Sequence, residues 1–523
     1  MKLDLNKIKF TWRGEYDTAT EYEADDIVSL DGSTYICVAL EAVTGIAPVE
    51  WANTTTWHLY NRGLSAAERQ SSLNAAGNRV AKLTDGKAMY GRYRSGGVIM
   101  EDGTLRLWGD SGSGQLGQGT WHHHRSTPIT PAFPKTDATV AKWVTSGREN
   151  LCLMSDGSVY VWGQNGYGCL GVGNTSNVHV PTRVTALDGV NIIDISVGQS
   201  RYTGSIHVMF LADDGRLFAS GYNAYGQLGL GNTTSVSTPT ALAKDDWSQV
   251  VCVGSNYGRT FAIDENGGLF AWGYNSQGPL GLGNSNNRSA PEQVTLPDKC
   301  VEIVGCMDDN HSTGDQPYGH TLARLEDGRV YSWGYNGYGQ LGTGNTSTVH
   351  SPQHIAALGT DNEQLLAWGG AYGSSAVVKA DGTIRTFGYN NYGQLGLGNT
   401  SNTNSPQNPG IEGNGGIKQV LGYGGYNYAS LAVLHNDGTL LTTGYNGNGQ
   451  LGVGHTSHRS SFTPVHIMKH KPVALCAVGY VNETGMGILT DNGLYYQTGY
   501  GGHAQIPDDD HEPSCVPYLV QFQ

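Results

Sequence analysis

Eight tyrosines share one kind of local setting. Tyr222, Tyr225, Tyr274, Tyr335, Tyr338, Tyr389, Tyr392 and Tyr445 all fall in short stretches of Gly, Asn and Ser. Tyr with Asn, Ser and Gly builds adaptable recognition surfaces, because the ring supplies contact area and the small polar residues supply hydrogen bonds. Asp308, His311 and Tyr318 lie in the longest polar connection, MDDNHSTGDQPYGH at 307–320, and join the candidate ligand-binding set. Trp12, Trp51 and Trp57 near the start could stack on sugar rings, whose CH-rich faces are apolar. The competing reading for each aromatic is packing: a tyrosine against the next repeat, a tryptophan in the core of a small module.

Catalysis finds little support. The adjacent acids Asp213-Asp214 and Glu101-Asp102 sit at turn signals. A glycosidase needs two carboxylates facing across a cleft, and no metalloprotease, nucleophile-elbow or Cys/His pattern emerges. The expectation is a non-enzymatic chain. No cofactor or metal is expected. His122, His123 and His124 are consecutive, whereas metal ligands must converge. Asp308, Asp309, Asp315 and the run 508–510 read as solvated loops.

The elements that position the tyrosines repeat. Each unit reads Asp-Gly, a short strand ending in Trp-Gly or its equivalent, then Gly-x-Asn-x-x-Gly-Gln-Leu-Gly-x-Gly, as from Asp327 to Gly344. The glycine closing that strand falls at 109, 163, 221, 273, 334, 388, 444 and 499, at intervals of 52 to 61 residues. Eight hairpins are therefore present. Seven carry the glycine loop, with Cys169 and Pro279 in the Gln position of the second and fourth. Asp-Gly between apolar runs signals a tight hairpin. In the second unit, four strands are predicted at 140–144, 151–154, 159–162 and 180–184. Four-stranded units of this length describe propeller blades, which must stack because none can bury its apolar side alone. GSGQLG at 112–117 loosely fits a dinucleotide fingerprint, but no helix follows it.

The repeat resembles that of the regulator of chromosome condensation family, over about residues 85–523. The resemblance implies a propeller, usually of seven blades; the hairpin count favours eight, with seven the alternative. The family's exchange-factor activity is not carried over, since function must be argued from a site.

Residues 8–60 are not a repeat. Trp12, Gly14, Tyr16, Tyr22, Asp26, Val28, Gly32, Tyr35, Pro48 and Trp57 resemble the pattern of small carbohydrate-binding modules of the chitin-binding type. Such modules recur in bacterial chitinases and in bacteriophage tail proteins. Runs at 27–30 and 34–39 flank Asp31-Gly32 as a hairpin. SAAERQSSLNAAG, from Ser65, is the best helix candidate, with Ser65 and Glu68 as a capping box. The expected organisation is an all-β chain: a β module over 1–62, a linker with a short helix over 63–84, and a β-propeller over 85–523.

Composition narrows the partners. The net charge is −14 with no basic run, which disfavours nucleic acid and anionic bilayers. No run of 18 apolar residues exists, so no membrane insertion is expected, and MKLDLNKIKF has no apolar signal core. Eight cysteines are scattered with no Cys-x-x-Cys pair, which reads as buried thiols in a chain folded in a reducing cytoplasm.

Together these features lead to an expected function: a virion-borne, non-catalytic adhesin of a bacteriophage tail, assembled in the host cytoplasm. Its expected partners are a host-surface glycan or receptor and other tail proteins, with a homotrimer implied by the resemblance. The alternative is a protein-interaction propeller of inhibitor or scaffold type. A polysaccharide depolymerase is the third reading.

Overall fold

The computed structural model describes residues 11–15, 26–30, 33–37, 57–61, 80–82, 95–119, 125–198, 205–254, 257–306, 318–369, 372–411, 416–425, 428–465, 470–480, 483–499 and 514–520. The chain divides into two compact units, Met1–Asn78 and Arg79–Gln523.

In the first unit, four strands form one sheet in chain order: Thr11–Glu15, Asp26–Leu30, Ser33–Cys37 and Trp57–Asn61. The first pair is parallel. The hairpin read from Asp31-Gly32 is present, with Leu30 opposite Ser33.

The second unit is an eight-bladed propeller. Its blades span 80–129, 140–183, 192–241, 247–293, 300–354, 362–407, 417–464 and 472–519, and each is a four-stranded sheet made from one continuous stretch of chain. Within a blade, neighbouring strands are antiparallel. First strands of successive blades approach one another, so they line the centre. Fourth strands such as Val349–His354, none of whose residues is buried, face outward. The second blade shows how closely the strands follow the apolar runs: Val140–Thr145, Glu149–Met154, Val159–Gly163 and Val178–Arg183.

The hairpin turns form as the Asp-Gly signal requires. Asp327 accepts the Arg329 N–H at 3.0 Å, and Gly328 takes φ +82, a conformation that only glycine adopts at low cost.

The glycine loops lock the seams between blades. Asn336 is wholly buried. Its Nδ2 donates to the carbonyls of Asn345 and Ser347 at 3.0 and 3.1 Å, and its Oδ1 accepts the Leu341 N–H at 3.0 Å. The same bonds recur at Asn223 and Asn390. Leu228, Leu341 and Leu395 are fully buried, each contributing about 1.5–3 kcal/mol of apolar burial. The Gln position then receives the next blade: Trp272 Nε1 donates to the Gln227 carbonyl at 2.9 Å, and Trp333 Nε1 to that of Pro279 at 2.8 Å. Near the axis, Gln419 exchanges two 2.8 Å hydrogen bonds with the Leu475 backbone of the last blade, which satisfies an otherwise open sheet edge.

Candidate functional site

The loops after the third strands and those joining first to second strands emerge on one face. Each tyrosine there is held by its own backbone. The Tyr335 N–H donates to the Gly319 carbonyl at 3.0 Å, and the Tyr338 N–H to Gln340 Oε1 at 2.9 Å. The first bond ties one loop to the other, so both kinds of loop present their rings together.

The rings gather at the seams, in triads. Between blades 3 and 4, Tyr225 lies 5.2 Å from Tyr257 and 5.1 Å from Tyr274, and those two are 4.7 Å apart. Between blades 5 and 6, Tyr338, Tyr372 and Tyr389 repeat the arrangement at 5.1, 5.2 and 4.9 Å. Between blades 6 and 7, Tyr392, Tyr428 and Tyr445 do so at 5.7, 5.2 and 4.7 Å. The seam before these has Tyr167 and Tyr222 at 4.8 Å, and the seam between blades 4 and 5 has Tyr318 and Tyr335 at 4.3 Å. Such contacts stabilise by about 0.5–1.5 kcal/mol each beyond their area.

Packing, the competing reading of the tyrosines, describes their immediate surroundings. Tyr225, Tyr338 and Tyr392 pack against the neighbouring blade and Tyr335 against Tyr318 of its own, yet most of the rings stay half-buried. Tyr274 and Tyr389 are the exceptions, at 7% and 4% exposed. Tyr167, Tyr257, Tyr372 and Tyr428 belong to the clusters but escaped the sequence reading. Three of them sit in first-to-second-strand loops outside the glycine repeat. A Tyr followed by one small residue ahead of the second strand, as in Tyr257-Gly258 and Tyr428-Ala429, was the available signal.

Arg148 and Asp110 place charge on this face, but the glycine loops of blades 2 to 7 carry none. The loops 164–177, 222–235, 274–287, 335–348, 389–402 and 445–458 contain no Asp, Glu, Lys or Arg. Burial pushes the Tyr225 phenol up to about 12 and also raises Tyr338 and Tyr445, so the hydroxyls stay neutral. The opposite face carries the Asp-Gly turns. There Asp156 and Asp381 are held below the usual carboxylate range, chiefly by hydrogen bonds from Ser158 and Thr383.

Four ionisable residues open the second strands of consecutive blades: Glu149, His207, Arg259 and His320 pair with Gly163, Gly221, Gly273 and Gly334. All four are buried. Burial lifts the Glu149 carboxyl to about 7 against the opposing Ser146 hydroxyl bond. Burial lowers His207 to about 4, and burial followed by the Arg259 charge lowers His320 to about 3.

Trp12 and Trp57 lie on strands of the first unit, but their side chains fall outside the described residues. So do Trp51, Asp308, His311, the histidines at 122–124, the acids at 508–510 and the helix candidate from Ser65. Among the described residues no group of His, Cys, Asp and Glu could hold a metal ion, and no helix is long and apolar enough to cross a membrane.

An RCC1-like domain model matches residues 87–373, and regulator of chromosome condensation (RCC1) repeats match 381–422 and 437–480. The chain belongs to this family. It is 29% identical to the ultraviolet-B receptor UVR8 of Arabidopsis thaliana over 356 residues, which span 68% of this chain and 75% of the receptor. It is 32% identical to the human probable E3 ubiquitin-protein ligase HERC4 over 45% of this chain, but only 21% of the ligase. Human WBSCR16 superposes with a TM-score of 0.52 at 21% identity, covering 73% of this chain and 96% of that one. Yeast RCC1 (Prp20), solved bound to Kap60, gives 0.51 at 18% identity over 70% and 83%. These two likenesses show the fold alone.

The relatives overturn the adhesin reading, with its host-surface glycan or receptor and tail-protein partners. They are a plant light receptor, ubiquitin ligases and yeast RCC1. Acidic charge and a plain start are shared by proteins of many kinds, so they could exclude partners but not select one. The expectation of a non-enzymatic propeller agrees with these relatives: this chain matches only a small part of the ligase.

Proposed function

We propose that this chain is a protein-interaction propeller that presents its tyrosine-lined face to a protein partner. The half-exposed ring clusters on uncharged, rigidly held loops carry this reading. Loops on a stiff scaffold are where binding residues concentrate, and aromatic clusters supply the strongest contacts of protein interfaces. The relatives support it: one is named a receptor, and yeast RCC1 was solved bound to another protein.

The test is photo-crosslinking from the positions of Tyr225, Tyr338 and Tyr392, against Asp156 and Asp381 on the opposite face. One stoichiometric protein captured from the tyrosine positions, and lost in the triple variant Tyr225→Ser/Tyr338→Ser/Tyr392→Ser, is the expected result. Capture that survives the triple variant, or arises only from the Asp positions, removes the reading.

Two smaller proposals accompany it. The first unit is a module of chitin-binding-type fold that serves for attachment, which folding of isolated residues 1–62 would test. The chain folds in a reducing compartment, a reading supported by buried free thiols such as Cys152, Cys252 and Cys476; unchanged stability after reductant treatment of the cell-purified protein checks it.

A further inference from the structure

Blade 7 builds its glycine loop with different acceptors from the others. Elsewhere the backbone N–H of the buried loop Asn is held by a side-chain oxygen: Asn223 by Ser235 at 3.1 Å, Asn275 by Asn287 at 2.9 Å and Asn390 by Asn402 at 2.8 Å. In blade 7 the Asn446 N–H donates instead to Nδ1 of His458 at 3.0 Å. The loop tip repeats the exchange. Oδ1 of Asn345 accepts the Ser347 N–H, and Oδ1 of Asn399 the Ser401 N–H, at 2.8 and 2.9 Å, whereas the Ser457 N–H donates to Nδ1 of His455 at 3.1 Å. An amide or hydroxyl oxygen accepts at any ordinary pH. An imidazole nitrogen accepts only while it carries no proton.

His458 also ties that bond to the tyrosine face. Its ring stacks on Tyr445 at 4.7 Å and 28°, and meets Tyr392 edge-on at 5.0 Å and 83°. Tyr392 belongs to blade 6 and Tyr445 to blade 7, so the imidazole bridges the seam. His458 is exposed, so a proton reaches it without unfolding. The titratable groups that face it are Tyr392 from blade 6 and Tyr445 from its own loop. His455 and Arg459 lie beside it along the chain, and the loops 389–402 and 445–458 hold no carboxylate to stabilise an imidazolium. His455 is the poorer sensor, because its Nε2 faces Arg459. Burial, and then that cation, hold it below the usual histidine range.

We propose that His458 is a proton-operated latch: a proton on Nδ1 ends the bond to the Asn446 N–H and frees the loop 445–458, with Tyr445, from the seam between blades 6 and 7. The Tyr445 face attracts an imidazolium, so the two rings move as one. Burial lowers the pKa of His458 from 6.5, and a bond accepted by Nδ1 favours the neutral ring. The latch is therefore fully closed above pH 6.5 and opens as pH falls through the lowered value. It stands on the loop alone and needs no partner. For the docking face, it means that one ring cluster is assembled at neutral pH and loosened by acid.

Hydrogen exchange on the full chain from pH 7.5 to 5 tests it, read as the protection of single amides relative to their intrinsic rates. The Asn446 amide is expected to lose protection about two- to tenfold, the worth of one hydrogen bond. The loss should follow the titration of the His458 ring seen by NMR. The Asn275 and Asn390 amides, held by amide oxygens, keep their protection and serve as internal controls. His458→Asn installs the acceptor type of blades 4 and 6 and abolishes the response. Asn402→His carries the response to the Asn390 amide. Protection of Asn446 that is unchanged once His458 is protonated overturns the proposal. So does a response that survives in His458→Asn, an equal loss at Asn390 in the unaltered chain, or a folded Asn402→His variant whose Asn390 amide ignores pH. Should Asn402→His fail to fold by circular dichroism, the unaltered chain and His458→Asn decide between them.

Discussion

Trp108 of the first blade meets Tyr495 of the last with ring centroids 5.7 Å apart. Both are fully buried, within one cluster that also holds Val98, Val478 and Leu489. Among the described residues no strand crosses this seam, and apolar packing joins the two blades there. Gly487 makes room for it, because a Cβ there would stand 2.2 Å from the Tyr495 hydroxyl. Tyr495→Ala is expected to destabilise the propeller by about 3–5 kcal/mol. Tyr495→Phe, which keeps the ring, should cost far less. Urea denaturation of the two variants checks the difference.

The buried ionisable groups predict a stability maximum between two limbs. Glu149 has its pKa raised from 4.5 to about 7. Its contribution is complete below pH 4.5 and is lost as pH rises through 7, because the unfolded chain ionises first. His207 is lowered from 6.5 to about 4, so its contribution is complete above pH 6.5 and is lost as pH falls through 4. Glu149→Gln should flatten the upper limb and raise stability at pH 8 by about 1–3 kcal/mol. Melting curves from pH 4 to 8 read both.

Gln277→Gly removes the one strained non-glycine backbone among the described residues. A gain of about 1 kcal/mol is expected, visible as a higher melting temperature. A fall in stability would show that the Gln277 side chain holds the loop.

Asn336→Ala deletes three hydrogen bonds that organise its loop. Each buried group left unpaired costs about 1–3 kcal/mol. Hydrogen exchange should accelerate at the Leu341 amide and in blades 5 and 6. Distant blades should be unaffected, because repeat units couple mainly to neighbours.

The blades were legible because their signals are local. Asp327-Gly328 forces its turn and Asn336 ties its loop within a dozen residues, so a reader of the chain meets cause and effect together. The ring clusters were half legible. Tyr225 and Tyr274 stand out in the repeat, but their contact with Tyr257 joins loops of different blades, and only the angle between blades brings them together. The burial of His207 was hidden for the same reason: its Nε2 meets the Thr260 hydroxyl of the next blade at 3.1 Å. The partner class was misread because no single residue encodes it. Net charge of −14 says what is repelled, not what is bound.

Because each sheet is cut from a single uninterrupted stretch, its gene segment is a self-sufficient part. Copying fifty-odd codons in frame would insert a whole sheet and strand no orphan, since only the angle at each joint must adjust. A lineage built this way can change its circumference by unequal crossing-over, which makes blade number a variable that evolution can count up or down.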